Sequence, residues 1–209
     1  IFQAPRLFEI ARGAGPGGMN IVRSLSAPIA RRKLVPHPAS PPGSDFHVEV
    51  VLGRLADGGW TMDYRVEDPA DALLVPEHAM AARADGLWRT TCFELFVTDP
   101  AGGYREFNFA PSGRWAAYRF DGYRKGMREL ALFRAPVIEM RREGAAHVMH
   151  VRLGAGAFPH RGRMRVALTA VIEEKDGTHS YWSVSHPPDR PDFHDPACFT
   201  LELAAPEIP

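Results

Sequence analysis

The run FHVEVVLGRLADGGWTMDYRVE, residues 46–67, decides the fold. In its second half Trp60, Met62, Tyr64 and Val66 alternate with Thr61, Asp63, Arg65 and Glu67. That is a period of two, so one side of an extended segment is apolar and the other wet. The first half is a second such segment. ADGG between them supplies glycines that reach positive φ without steric cost, so the pair predicts a β-hairpin.

Similar runs follow at short intervals: CFELFVTD, YREFNFA, RWAAYRF, APVIEMRR, HVMHVRL, RMRVALTAVIEE and ACFTLEL, separated by DPAGG, APSG, REGAA and KDGT. Eight to ten strands at that spacing predict an all-β, antiparallel β-sandwich. Two short helices are expected, over PEHAMAARAD (76–85) and RKGMRELALF (124–133). Residues 44–204 read as one domain and 205–209 as a tail. Residues 1–43 read as a flexible or extended lead, with 1–18 ahead of a candidate start at Met19.

Twenty-five basic residues balance twenty-five acidic ones, so no net field draws the chain to nucleic acid or to an anionic membrane. No apolar run reaches the roughly 18–20 residues that span a bilayer. SLSAPIARRK lacks the order of a secretory signal, which points to a cytoplasmic protein. Cys92 and Cys198 have no zinc or redox spacing and read as two buried thiols.

The segment LWRTTCFELFVTDPAGGYREFNFAPSGRWAAYRF (87–120) resembles the DOMON-like domains, a β-sandwich superfamily that includes the family nine carbohydrate-binding modules. The resemblance lies in Cys92, Glu94, Phe96, Asp99 and Pro100 on one strand and its turn. It continues through Tyr104, Phe107, Asn108, Pro111 and Gly113 on the next. The ending YWSVSHPPDRPDFHDPACFTLEL is similar to that of a bacterial stand-alone subgroup. The resemblance implies a jelly-roll or immunoglobulin-like sandwich that binds a saccharide or, in some branches, haem through Met and His.

A sugar presents C–H faces to aromatic rings and hydroxyls to planar polar groups, so a sugar site needs both together. Trp88 beside Arg89, Trp115 and Tyr118 after Asn108, and Trp182 before His186 offer that company. Trp60, in register with Met62 and Tyr64, is core. Glu94 points opposite to Phe93 and Leu95, and Asn108 opposite to Phe107 and Phe109, so a hairpin through DPAGG sets both on one sheet face.

The stretch SHPPDRPDFHDP (185–196) holds two histidines, three aspartates and four prolines, a composition that suggests a metal. Its spacing does not, because Pro187 and Pro188 stiffen the chain between His186 and His194. It reads as a rigid loop in which His186, Arg190 and Asp192 rim the ligand while His194 and Asp195 lock the loop. Ser183, Ser185, His186 and Asp192 lack the glycine pattern of a nucleophile elbow, and pairs drawn from Glu94, Glu106 and Asp121 are generic.

No catalytic residue is assigned. The expected ligand is an oligosaccharide or related small polar molecule held by Trp88, Arg89, Glu94, Asn108, Trp115, Tyr118, Trp182, His186, Arg190 and Asp192. No cofactor is required; haem and calcium stand as alternatives, with Met62, Met80, Met140, Met149 and Met164 as haem candidates, better explained as packing. A haem-linked redox module, an enzyme acting on a nucleotide sugar, and an interaction domain without a pocket remain the competing functions.

Overall fold

A computed structural model describes residues 27–100, 102–159 and 162–204. The candidate start at Met19 and the tail 205–209 lie outside them. Twelve strands follow one another: β1 (Ala27–Pro36), β2 (His47–Arg54), β3 (Trp60–Glu67), β4 (Cys92–Thr98), β5 (Tyr104–Phe109) and β6 (Trp115–Phe120) form the first half. The second half comprises β7 (Arg128–Glu129), β8 (Val137–Glu143), β9 (Ala146–Leu153), β10 (Met164–Glu173), β11 (His179–Ser183) and β12 (Leu201–Leu203). Every ladder between them is antiparallel.

The strands form two sheets packed face to face. One runs β1-β2-β3-β9-β8 and the other β7-β6-β5-β4-β10-β11, with β12 also on β10. The expected hairpin is present, with Leu52 opposite Met62 and Val50 opposite Tyr64. Val48, Val50, Leu52, Met62, Tyr64 and Val66 of the first sheet share one core with Phe93, Leu95, Val97, Phe107 and Phe109 of the second. The Tyr64 hydroxyl crosses the gap and donates to the Glu94 carbonyl at 2.8 Å, with its ring 4.8 Å from that of Phe93. A buried phenol finds its partner across the sheets, which fixes their relative placement.

Within the segment read as a flexible or extended lead, Ala27–Pro36 forms strand β1. β1 pairs with β2 from Ala27 to Leu34 and with β11 at Val35 and Pro36, so it belongs to both sheets. Leu34 is buried while Arg31 and Lys33 lie in solvent, so alternation exists there. The prolines at its ends hide it, but they cost no ladder bond where the strand enters and leaves the sheet.

Neither expected helix forms. Residues 76–85 run extended against the start of β6: Ala79 N–H donates to Ser112, Trp115 N–H to Ala82 and Ala84 N–H to Trp115. Those bonds take the backbone groups that a helix would use internally. In 124–133, Arg124 (φ 52°) and Gly126 (φ 63°) are both left-handed, which closes a tight turn instead of a helix. Among the described residues helix is confined to single 3₁₀ turns at Leu87–Arg89, Ala155–Ala157 and Pro196–Cys198. No helix there is long and apolar enough to cross a membrane.

Candidate functional site

On the second sheet, odd and even positions part cleanly. Phe93, Leu95, Phe107 and Phe109 face the other sheet, which turns Glu94, Glu106 and Asn108 to the opposite face. That outer face is not left to solvent. Phe96, Tyr104, Tyr118, Phe120 and Val171 pack there with Phe193, Cys198 and Phe199 from the proline-rich loop, forming a second, smaller core. Where the loop leaves the sheet uncovered, a cleft of about 920 Å³ opens, floored by Glu94, Glu106 and Tyr118. Trp88, Arg89, Met127, Arg190, Asp192 and His194 line its sides.

The floor is unusual in its polarity. Glu94 is 3% exposed and its carboxyl accepts no hydrogen bond among the described residues. Burial, reinforced by the charge of Glu106, pushes it well above the ordinary carboxylate range. Glu106 accepts from Asn108 Nδ2 at 2.7 Å and is pushed by burial to about 7, against the opposing pull of that bond and of Arg124. Register explains the grouping: Glu94 lies directly opposite Asn108 on β5 and opposite Thr169 on β10, and Glu106 opposite Tyr118 on β6. Asn108 Oδ1 and Thr169 Oγ1 are buried without partners.

One wall is tied down by charge. Asp192, buried, accepts from Arg124 Nη2 at 2.8 Å, from the Tyr123 hydroxyl at 2.5 Å and from the His194 amide at 3.1 Å. Burial raises this carboxyl, but the bonds from Arg124 and Tyr123 outweigh it and leave the group below its usual value. His194 Nδ1 lies 2.7 Å from the Tyr104 hydroxyl, which itself accepts from the Arg124 amide at 3.2 Å. The other ring nitrogen, Nε2, lies 3.9 Å from Glu106. Burial and then the Arg124 cation bring His194 down to about 4, in keeping with a neutral ring. Also lining the cleft, Arg83 holds Asp85 at 3.0 Å and Glu129 at 2.7 Å, and Tyr118 donates to Asp85.

Of the ten residues singled out from the sequence, Trp88, Arg89, Glu94, Tyr118, Arg190 and Asp192 line this cleft. Asn108 does not line it but is buried behind the floor, bonded to Glu106. Three others are elsewhere. Trp182 is 3% exposed in the core between the sheets, its Nε1–H donating to Ser180 Oγ at 2.8 Å. Trp115 packs on that same core, on the side of the sheet away from the cleft. His186 bonds Val35 O at 2.8 Å and meets His37 edge-on at 5.0 Å, fastening the loop to β1 instead of rimming the cleft. His194 is a cleft wall, whereas Asp195 caps the 3₁₀ turn by accepting from Ala197 N–H at 2.8 Å. His186 and His194 thus face different partners.

Sequence reasoning did not assign Glu106, Arg124 and His194 to the site. Parity with Asn108 could have placed Glu106 on the face. Arg124 comes from a turn whose direction no local pattern gives. A separate group, Asp68, Asp71 and His147, offers ligand atoms within 4.8 Å of one another. Its acids are already used, since Asp71 pairs with Arg142 and with Lys175, and Asp68 accepts the amides of Ala72 and Leu73. Met62, Met149 and Met164 are fully buried in the core. Cys92 and Cys198 are buried and free.

No family model and no curated protein matches the chain. Among solved structures it is similar to a candidate carbohydrate-binding protein from Bacteroides uniformis, at 16% identity and TM-score 0.60 over 82% of this chain and 84% of that one. It is also similar to a family nine carbohydrate-binding module from Caldicellulosiruptor kristjanssonii. The complex with cellotriose aligns at 10% identity and TM-score 0.48 over 83% of this chain and 82% of that one. The complex with glucose aligns at 12% and 0.49, over 83% and 84%. The first of these likenesses establishes a shared fold, a β-sandwich over most of the chain.

Proposed function

We propose that the chain binds a saccharide, without catalysis, in the cleft on the outer face of the second sheet. One observation carries the reading: Trp88, 49% exposed, lines a cleft floored by the buried carboxyls of Glu94 and Glu106, with Asn108 Oδ1 buried and without a partner behind them. A ring left half in solvent is free to stack on a sugar face, and buried polar atoms without partners are stabilised by hydroxyls delivered to them. The fold likeness to a candidate carbohydrate-binding protein is consistent with this. The cleft volume of about 920 Å³ suits one or two sugar rings.

A thermal-shift screen against mono- and disaccharides tests the reading. A sugar at a hundredfold excess over its Kd is expected to raise the Tm by about 5–10 °C. Trp88→Ala should abolish that rise while leaving the Tm of the free protein nearly unchanged. The absence of any shift at millimolar sugar would overturn the proposal.

A further inference from the structure

The floor of the cleft has a surplus of acceptors over donors. Glu94 offers two carboxyl oxygens and Glu106 a second one beyond that held by Asn108, while Asn108 Oδ1 is buried with no donor. Against these stand the hydroxyl of Thr169, itself without a partner, and the His194 ring, whose Nε2 lies 3.9 Å from Glu106. One proton resting on Glu94 supplies a single further donor. A ligand hydroxyl brings one donor with two lone pairs that need donors in turn. A primary ammonium brings three donors and no acceptor. It also carries the charge that two neighbouring buried carboxylates lack, since Arg124 and Arg83 are already committed to Asp192 and to Asp85 and Glu129.

Resting on the saccharide reading above, we infer that the cleft selects an amino sugar, with its free ammonium seated on the floor between Glu94 and Glu106 and its ring against Trp88. Arg89 and Arg190 stand at the flanks with no acidic partner among the described salt bridges, leaving them to the outer hydroxyls. The groups that face the carboxyl pair are Cys92 on β4 itself, Asn108 on β5, Tyr118 on β6, Arg124 from the turn after β6, and Asp192 and His194 from the loop. Tyr104 on β5 faces the pair as well; its phenol is pushed up to about 12 and His194 is held down at about 4, whereas Glu106 is raised to about 7 and Glu94 is raised by burial and by Glu106. An ammonium favours both carboxylates ionised, so its binding releases protons.

Titration calorimetry with glucosamine, N-acetylglucosamine, glucose and putrescine decides the matter. Glucosamine is expected to bind about tenfold or more tighter than glucose or N-acetylglucosamine at pH 7. Its affinity should fall between pH 7.5 and 5.5, and heats in buffers of different ionisation enthalpy should show proton release. Glu94→Gln should bring glucosamine down to the level of glucose; Glu106→Gln serves the same comparison if the first variant does not fold. Equal binding of glucose and glucosamine would overturn the ammonium inference and leave the saccharide reading standing. Binding of putrescine with no sugar would overturn the saccharide reading and, with it, the choice of an amino sugar. Binding of none of the four would overturn both.

Discussion

Gly103 sits at φ +76° in the turn between β4 and β5, where a Cβ would lie 1.9 Å from the Phe120 carbonyl oxygen. Gly103→Ala must therefore displace backbone as well as strain φ. It is expected to cost about 3 kcal/mol or more, read from urea unfolding. Asp192 holds Arg124, Tyr123 and the His194 amide at once, so Asp192→Asn should lower stability by about 1–3 kcal/mol and loosen the cleft wall. Glu106 gives a pH dependence of known sign. Its value rises on folding to about 7, so the native state holds a proton that the unfolded chain has released. Stability from this group is fully present below the ordinary glutamate range and is lost as pH climbs through 7. Glu106→Gln should therefore gain on the parent protein by on the order of 2–3 kcal/mol at pH 8 and by little at pH 4.5, measured as unfolding free energy at the two values.

Parity along strands is the scale at which the sequence was most legible. Alternation in 60–67 fixed which side of β3 is core, and the same rule set Glu94 opposite Asn108 on one face. It also would have rejected Trp182. Counting from Tyr181, which lines the cleft, the next residue must point inward, and polar company at His186 outweighed that count. Trp182→Ala is accordingly expected to cost about 3–5 kcal/mol of stability, whereas Trp88→Ala should cost under about 1 kcal/mol. The apparent helices failed for a different reason. Alanine content in 76–85 reports a local preference of tenths of a kcal/mol per residue, which pairing with Ser112 and Trp115 overrides. The wall from Arg124 to Asp192 joins residues 68 positions apart, and no periodicity carries that distance.

At the scale of the whole molecule, two cores share one sheet, and the loop 184–200 that makes the outer core also walls the cleft. A ligand in the cleft is thus expected to protect the amides of that loop from hydrogen exchange along with those of β4 and β5. β1 has a further consequence, in time instead of space. Its first partner, β2, emerges from the ribosome next, but Val35 must wait for Ser183, 148 residues later by subtraction of those numbers. At about 5–20 residues per second that wait is roughly 7–30 s. Throughout it, the β1–β2 hairpin offers a free edge to any other extended chain. Synthesis therefore leaves the β1 edge at Val35 and Pro36 without its partner until β11 has been made.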